Sequence, residues 1–189
     1  MNPKNIVSII ITISGIMIGT IVGTAINEIR SLKKENAITE KAMIIADFYK
    51  RKGTPASPLE IREIIRAAYK HCAGDKVFTV EDMVAFAMTE NDCNTRKKGD
   101  RGEVGVYQIL DPKTMLKKIG KPNADPMNVD INTEMALCML HEKYDKHKDW
   151  QKTIIAYNGY VIKGGRLKKN YWYRFMNYKI ALQKMGVNL

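Results

Sequence analysis

Glu90 closes a run of apolar residues at helical spacing. Met83, Phe86 and Ala87 lie seven, four and three positions before it, so all four fall on one side of a helix. A carboxylate at the end of such a stripe is partly desolvated. Desolvation disfavours the charged form and raises the pKa, which is what a general acid working near neutrality requires. A lone glutamate at a helix end is more often simply solvated, but the residues that follow change the balance. Residues 99–109 read Gly-Asp-Arg-Gly-Glu-Val-Gly-Val-Tyr-Gln-Ile, and Gly99, Gly102 and Gly105 permit tight turns beside a cleft. Tyr107-Gln108 is a polar-aromatic pair within this segment. Ala156-Tyr157-Asn158-Gly159 comes later, at the end of another helical stretch.

This ordered set resembles the lysozyme-like lytic transglycosylases of the soluble-lytic-transglycosylase (SLT) type and their goose-type lysozyme relatives. That family has a catalytic Glu ending a helix, a loop, a G-x-x-G-[LV]-x-Q-[IV] segment and a downstream A-Y-N motif. The matching residues here are Glu90, then Gly102-Glu103-Val104-Gly105-Val106-Tyr107-Gln108-Ile109, then Ala156-Tyr157-Asn158. Gly99-Asp100-Arg101-Gly102 is similar to the goose-type loop. The resemblance covers about residues 58–175. Three positions depart from the family pattern. Asn91 stands where a Ser usually follows the Glu, Cys93 where an aromatic is common, and Gly99 near a frequent loop Ser. These departures bear on substrate positioning rather than on the general acid.

The resemblance implies cleavage of the β-1,4 bond between N-acetylmuramic acid and N-acetylglucosamine in peptidoglycan, leaving 1,6-anhydro-muramoyl ends. Glu90 would serve as acid and then as base, so one carboxylate suffices and no cofactor or metal is implied. Tyr157 would orient Glu90 or a sugar group, and Gln108 and Asn158 would bond the N-acetyl groups or the loop. Gly105 and Tyr107 complete the implied substrate-binding set. A hydrolytic muramidase is the alternative. It needs a second carboxylate to position water, roughly 6.5–9.5 Å away for inversion, and Asp100, Glu103 and Asp111 are the candidates. Their plainer roles are loop solvation for Asp100 and Glu103, and helix capping for Asp111. A third reading is a non-catalytic, membrane-anchored structural or binding protein on a lysozyme-like scaffold.

The elements that must position these residues read as short helices, an all-α lysozyme-like fold with room for a minor β-hairpin. Thr39–Arg51 has helical composition and Gly53 stops it. Ser57, Pro58 and Glu60 suggest a capping box opening a helix whose apolar face is Ile61, Ile64, Ile65 and Ala68. Thr79 caps the Glu90 helix, Asp111-Pro112 opens a short one, and Asp130 caps a helix to about Lys146. Two more follow, over 150–158 and from Asn170 to about Met185. Residues 27–55 read as a stalk and linker, and 56–189 as the catalytic domain.

Ile6–Ile26 carries no charge and is long enough to span a bilayer. Residues 1–26 are therefore expected to form a retained transmembrane anchor, with a cleaved signal as the alternative. Gly15, Gly19 and Gly23 lie four apart, a face on which two such helices could associate. Arg30, Lys33, Lys34 and Lys41 follow the span, which would hold the C-terminal side in the cytoplasm. A peptidoglycan substrate requires the opposite. The motifs outweigh the flanking charge, since long domains translocate despite it. The expected setting is outside the cytoplasmic membrane, on the periplasmic or cell-wall side, in a secretion system, or on a phage particle.

The chain has 189 residues and 31 basic against 20 acidic side chains, a net +11. Such values exclude wholesale disorder. His71, His141 and His147 form no ligand cluster, so no metal is expected. Lys152, Lys163, Arg166, Lys168, Lys169, Arg174, Lys179 and Lys184 are all the charged residues after Asp149. Most of the excess charge therefore sits in a tail that also holds Tyr171-Trp172-Tyr173. Beside a lysozyme-like site, these aromatics and bases suit sugars and an anionic wall better than nucleic acid, which is not expected as a partner. Cys72, Cys93 and Cys138 read as small buried apolar residues, although one pair could bridge in an oxidising compartment.

Overall fold

The computed structural model describes the backbone of residues 3–54, 56–159 and 169–189, and their side chains except those of 3–21 and 169. Among the described residues the regular structure is helical. The helices are α1 (Pro3–Arg51), α2 (Pro58–His71), α3 (Val80–Asn91), α4 (Pro112–Lys118), α5 (Val129–His147), α6 (Trp150–Tyr157) and α7 (Lys169–Lys184). The chain divides into two units, Met1–Glu40 and Lys41–Leu189.

The described residues of the first unit are one continuous stretch of α1. The first part of the expected stalk and linker, residues 27–38, continues the helix, because that segment contains neither Gly nor Pro. Its apolar side chains Val22, Ile26, Ile29 and Leu32 are exposed. Most of the expected span Ile6–Ile26, with Gly15 and Gly19, lies outside the residues whose side chains are described. Among the described residues no helix is long and apolar enough to cross a membrane.

The second unit starts at residue 41. Ala42, Ile45 and Tyr49 recur at helical spacing and are fully buried, so the last turns of α1 belong to the core. Gly53, at φ +75, ends the helix by donating to the carbonyl of Lys50. In α2 the expected face is in place, with Ile61, Ile64, Ile65 and Ala68 fully buried. Ser57 occupies the N-cap position but makes no side-chain cap bond. Glu60 instead accepts from Thr95 Oγ1 at 2.5 Å, so the expected capping box is absent. The Thr79 cap expected at α3 is present and forms part of a full capping box: Asp82 N–H donates to Thr79 Oγ1, and Thr79 N–H donates to Asp82 Oδ2 at 2.9 Å. The cap of α5 is Asn128, not Asp130. Asn128 Oδ1 accepts from Asp130 N–H (3.0 Å) and Ile131 N–H (3.2 Å). The Asp130 carboxylate is drawn away to Lys70 (2.7 Å) and His71 (2.9 Å).

The glutamate helix α3 packs on α2 and α7, while α5 packs on α2 and α6. Phe86 is the junction, with ring centroids 5.4 Å from Tyr157 of α6 and 4.7 Å from Phe175 of α7. Such aromatic pairs add about 0.5–1.5 kcal/mol each beyond their buried area. Cys72, Cys93 and Cys138 are all free; the first two are buried and the third half-buried. Burial pushes the Cys72 and Cys93 thiols up to about 12, which makes them poor nucleophiles.

Candidate active site

α3 ends abruptly one residue after Glu90. Asp92 and Cys93 both adopt positive φ, +49 and +62, and Cys93 N–H donates back to the Ala87 carbonyl at 3.2 Å. The chain turns away there and leaves Glu90 on a cleft of about 420 Å³ lined also by Glu103, Gln108, Asp111, Tyr157 and Asn158. Met83, Phe86 and Ala87 behind it are fully buried. Burial raises the Glu90 carboxyl to about 7. The Tyr171 hydroxyl, which donates to Glu90 Oε1, and the Arg174 charge pull the other way, and Glu103 adds to the rise. The negative end of the α3 dipole, where Glu90 sits, acts in the same upward direction. The Tyr171 hydroxyl is itself pushed well above its ordinary value by burial and by Glu90, so it stays protonated and keeps donating.

The glycine segment forms the facing wall. Val104 and Ile109 exchange both backbone bonds at 3.0 Å, and a second antiparallel bridge joins Lys98 to Val104. These isolated bridges are what the structure has of the expected hairpin. Gly105, at φ +75, has no room for a side chain, since a Cβ there would run into Asn132. Asn132 is fully buried and clamps the segment: its Nδ2 donates to Val104 O (3.1 Å) and Pro126 O (3.0 Å), and its Oδ1 accepts from Tyr107 N–H (2.9 Å). Gln108, at φ +49, donates to Gly105 O at 2.8 Å. Asn91 donates to the same carbonyl at 3.2 Å and so ties the end of α3 to the loop.

A family model described as the transglycosylase SLT domain matches residues 75–175. The chain belongs to the SLT transglycosylase family. SLT domains are lytic transglycosylases that act on peptidoglycan. No curated protein and no solved structure matches the chain. The matched stretch of the SLT domain runs from just before α3 into α7, so it holds Glu90, the glycine segment, Tyr157-Asn158 and Tyr171.

Within the SLT domain the expected site residues separate into three groups. Glu90, Gln108, Tyr157 and Asn158 line the cleft together. Tyr107 does not. It is fully buried, because its place in the turn points the ring into the core, and it reaches the site only through its carbonyl. Tyr157 bonds that carbonyl (3.0 Å) rather than Glu90. The hydroxyl on Glu90 comes instead from Tyr171, which the sequence offered only as part of an aromatic, basic tail. The candidate second carboxylates also divide. Asp100 is exposed and off the cleft, and Asp111 caps α4 by accepting from Thr114 N–H at 3.1 Å. Glu103 lies in the cleft with both oxygens occupied by Arg101, through Nε (2.8 Å), Nη2 (2.6 Å) and the backbone N–H (2.9 Å). Burial alone would raise its carboxyl, but these donors outweigh burial and hold it below the usual range. Gly99 follows from this arrangement, since a Cβ there would collide with Glu103 Oε2. The SLT family's loop Ser has no space beside this ion pair.

The tail is less free than its composition suggested. Lys163, Arg166 and Lys168 lie outside the described residues. Arg174 faces Asp92 (3.7 Å), Lys179 pairs with Asp82 (2.5 Å), and Trp172 stacks on Phe175 with centroids 6.0 Å apart. Tyr171→Phe removes a donor that favours the Glu90 carboxylate. The alkaline limb of the pH–rate profile on cell walls should therefore move up by about one unit, the scale of one hydrogen bond to a charged group. An unmoved limb would remove Tyr171 from the control of Glu90.

Proposed function

We propose that the protein is a membrane-anchored lytic transglycosylase that cleaves the N-acetylmuramic acid–β-1,4–N-acetylglucosamine bond with Glu90 as its single acid and base. The observation that carries this reading is the contrast among the carboxylates lining the cleft. Glu103 is held by Arg101, Glu142 by Lys118 (2.7 Å), and Asp111 by its helix cap. Among them Glu90 is the one whose burial is not offset by its donors, so it is poised near pH 7 and both of its protonation states are populated near neutrality. Protonated Glu90 gives its proton to the glycosidic oxygen as the C1–O bond breaks. The resulting carboxylate takes the proton of the muramoyl C6 hydroxyl as that oxygen bonds to C1. The 1,6-anhydro ring closes, Glu90 is again protonated, and no water is consumed. Gln108 and Asn158 line the cleft and would pair with the N-acetyl amides.

The hydrolytic alternative is supported only by Glu103, which shares the cleft with Glu90 but is engaged at both oxygens by Arg101. The uncharged run Ile6–Ile26, whose Val22 and Ile26 are exposed and which the exposed Ile29 and Leu32 extend, supports anchoring. The peptidoglycan substrate supports a setting outside the cytoplasmic membrane. A zymogram on purified cell walls tests the enzymatic reading. A cleared band is expected from the full chain, and an intact wall would favour a non-catalytic scaffold.

A further inference from the structure

Successive residues of α7 serve two different sites. Tyr171 turns to Glu90, whereas Tyr173, Arg174, Asn177 and Tyr178 line a second groove of about 510 Å³, closed on its other side by Phe48 and Lys52 at the end of α1. No residue lining this groove lines the Glu90 cleft.

The groove is chemically distinct from an ordinary solvated helix face. Tyr173 is 54% exposed, a large flat ring left open to solvent. The Lys52 ammonium lies over two rings at once, 4.4 Å from the centroid of Phe48 and 4.8 Å from that of Tyr178. The Arg174 guanidinium lies 5.9 Å from the Tyr178 centroid. Asn177 supplies a primary amide, and no carboxylate lines the groove. Asp92, which touches two of the lining residues, is already occupied by them, the Tyr178 hydroxyl (2.8 Å) and Arg174 (3.7 Å).

Each component matches one feature of a single ligand. Aromatic faces are electron-rich and accept the polarised C–H edge of a pyranose. An amide pairs with an N-acetyl group. Cations with no carboxylate among them select an anion. We infer that this groove is a second, non-catalytic peptidoglycan site, which seats an N-acetylated sugar against Tyr173 and the carboxylate of its peptide stem against Lys52. The inference rests on the peptidoglycan substrate of SLT domains and not on the role of Glu90. Because the groove and the cleft flank the same helix, a wall strand held in one keeps its neighbours near the other and raises their effective concentration at Glu90.

The test uses the full chain carrying Glu90→Gln, so that the wall is not consumed, pelleted with insoluble peptidoglycan stripped of attached anionic polymers. Adding Tyr173→Ala and Lys52→Ala, both on exposed side chains, should weaken pelleting at least about fivefold, the scale of losing two central contacts. In a chain with Glu90 intact, the same pair should slow clearing of insoluble walls but leave cleavage of a short soluble glycan at the parental rate. Four results would overturn the groove: unchanged pelleting, no pelleting by the Glu90→Gln chain, pelleting only with walls that keep their anionic polymers, or equal loss on the short glycan. If no chain cleaves walls and the groove variant still loses pelleting, the groove stands and the catalytic reading falls.

Discussion

Glu90→Gln is expected to slow cell-wall cleavage by about 10³-fold or more, because the one group that gives and takes the proton is lost. The substitution keeps the shape of the side chain and an acceptor for the Tyr171 hydroxyl, so the fold should persist. Stability supplies an independent readout. Glu90 loses its proton near 4.5 in the unfolded chain and near 7 in the folded one. Between those values the folded state holds more protons, so stability contributed by this group falls as pH rises through the interval and stays low above it. Glutamine does not titrate. The variant should therefore melt no lower than the parent at pH 8 and lack that decline between pH 4.5 and 7. Retained wall cleavage would dismiss Glu90 as the acid. A lower melting temperature at pH 8 would dismiss its desolvation.

Asp82→Ala should be the most destabilising single change near the site, by about 3 kcal/mol or more. Asp82 is 2% exposed and binds two elements at once. Its Oδ1 accepts from Lys179 Nζ of α7 at 2.5 Å, and its Oδ2 from Thr79 N–H (2.9 Å) and Oγ1 (2.8 Å) at the start of α3. Alanine removes the carboxylate half of the capping box, while the backbone N–H at 82 can still donate to Thr79 Oγ1, and leaves Lys179, 75% buried at its side chain, without its anion. At about 2–4 °C per kcal/mol for a domain of this size, the midpoint should drop by roughly 10 °C. Adding Lys179→Met should recover part of the loss, because the unpaired charge is then gone. A double variant no better than Asp82→Ala would show that the cap, and not the pair, carries the energy. Since α3 brings Glu90 and α7 brings Tyr171, activity should fall with this clamp even at temperatures where the chain stays folded.

The elements that position Glu90 were largely legible in the sequence because their signals are local. Thr79, Asp111-Pro112 and the Ile61/Ile64/Ile65 face each lie within a few residues of what they determine. The misreadings arose where a distant partner competes for a side chain. Asp130 looked like the cap of α5, but Lys70 and His71 claim its carboxylate and Asn128 caps instead. Glu60 completed a capping box on paper and bonds Thr95 in the fold. Tyr157 was close enough in motif to be assigned to Glu90, yet Tyr171, 81 residues beyond the glutamate, makes that bond. Asn132 left no trace at all, since a single Asn inside a helix reads as a weak helix former. Its value lies in three bonds to two other segments. The basic tail was legible as composition only, because charge counts do not reveal that Asp82 and Asp92 would face Lys179 and Arg174.

The single-glutamate mechanism is tested most directly by the mass of the products released from purified peptidoglycan. Intramolecular attack by the C6 hydroxyl leaves every new muramoyl end as the 1,6-anhydro form, one water lighter than the reducing sugar and inert to borohydride. That is the predicted result. Reducing muramic ends that take up borohydride would mean that water is the nucleophile, and would contradict an account in which Arg101 keeps Glu103 from activating it.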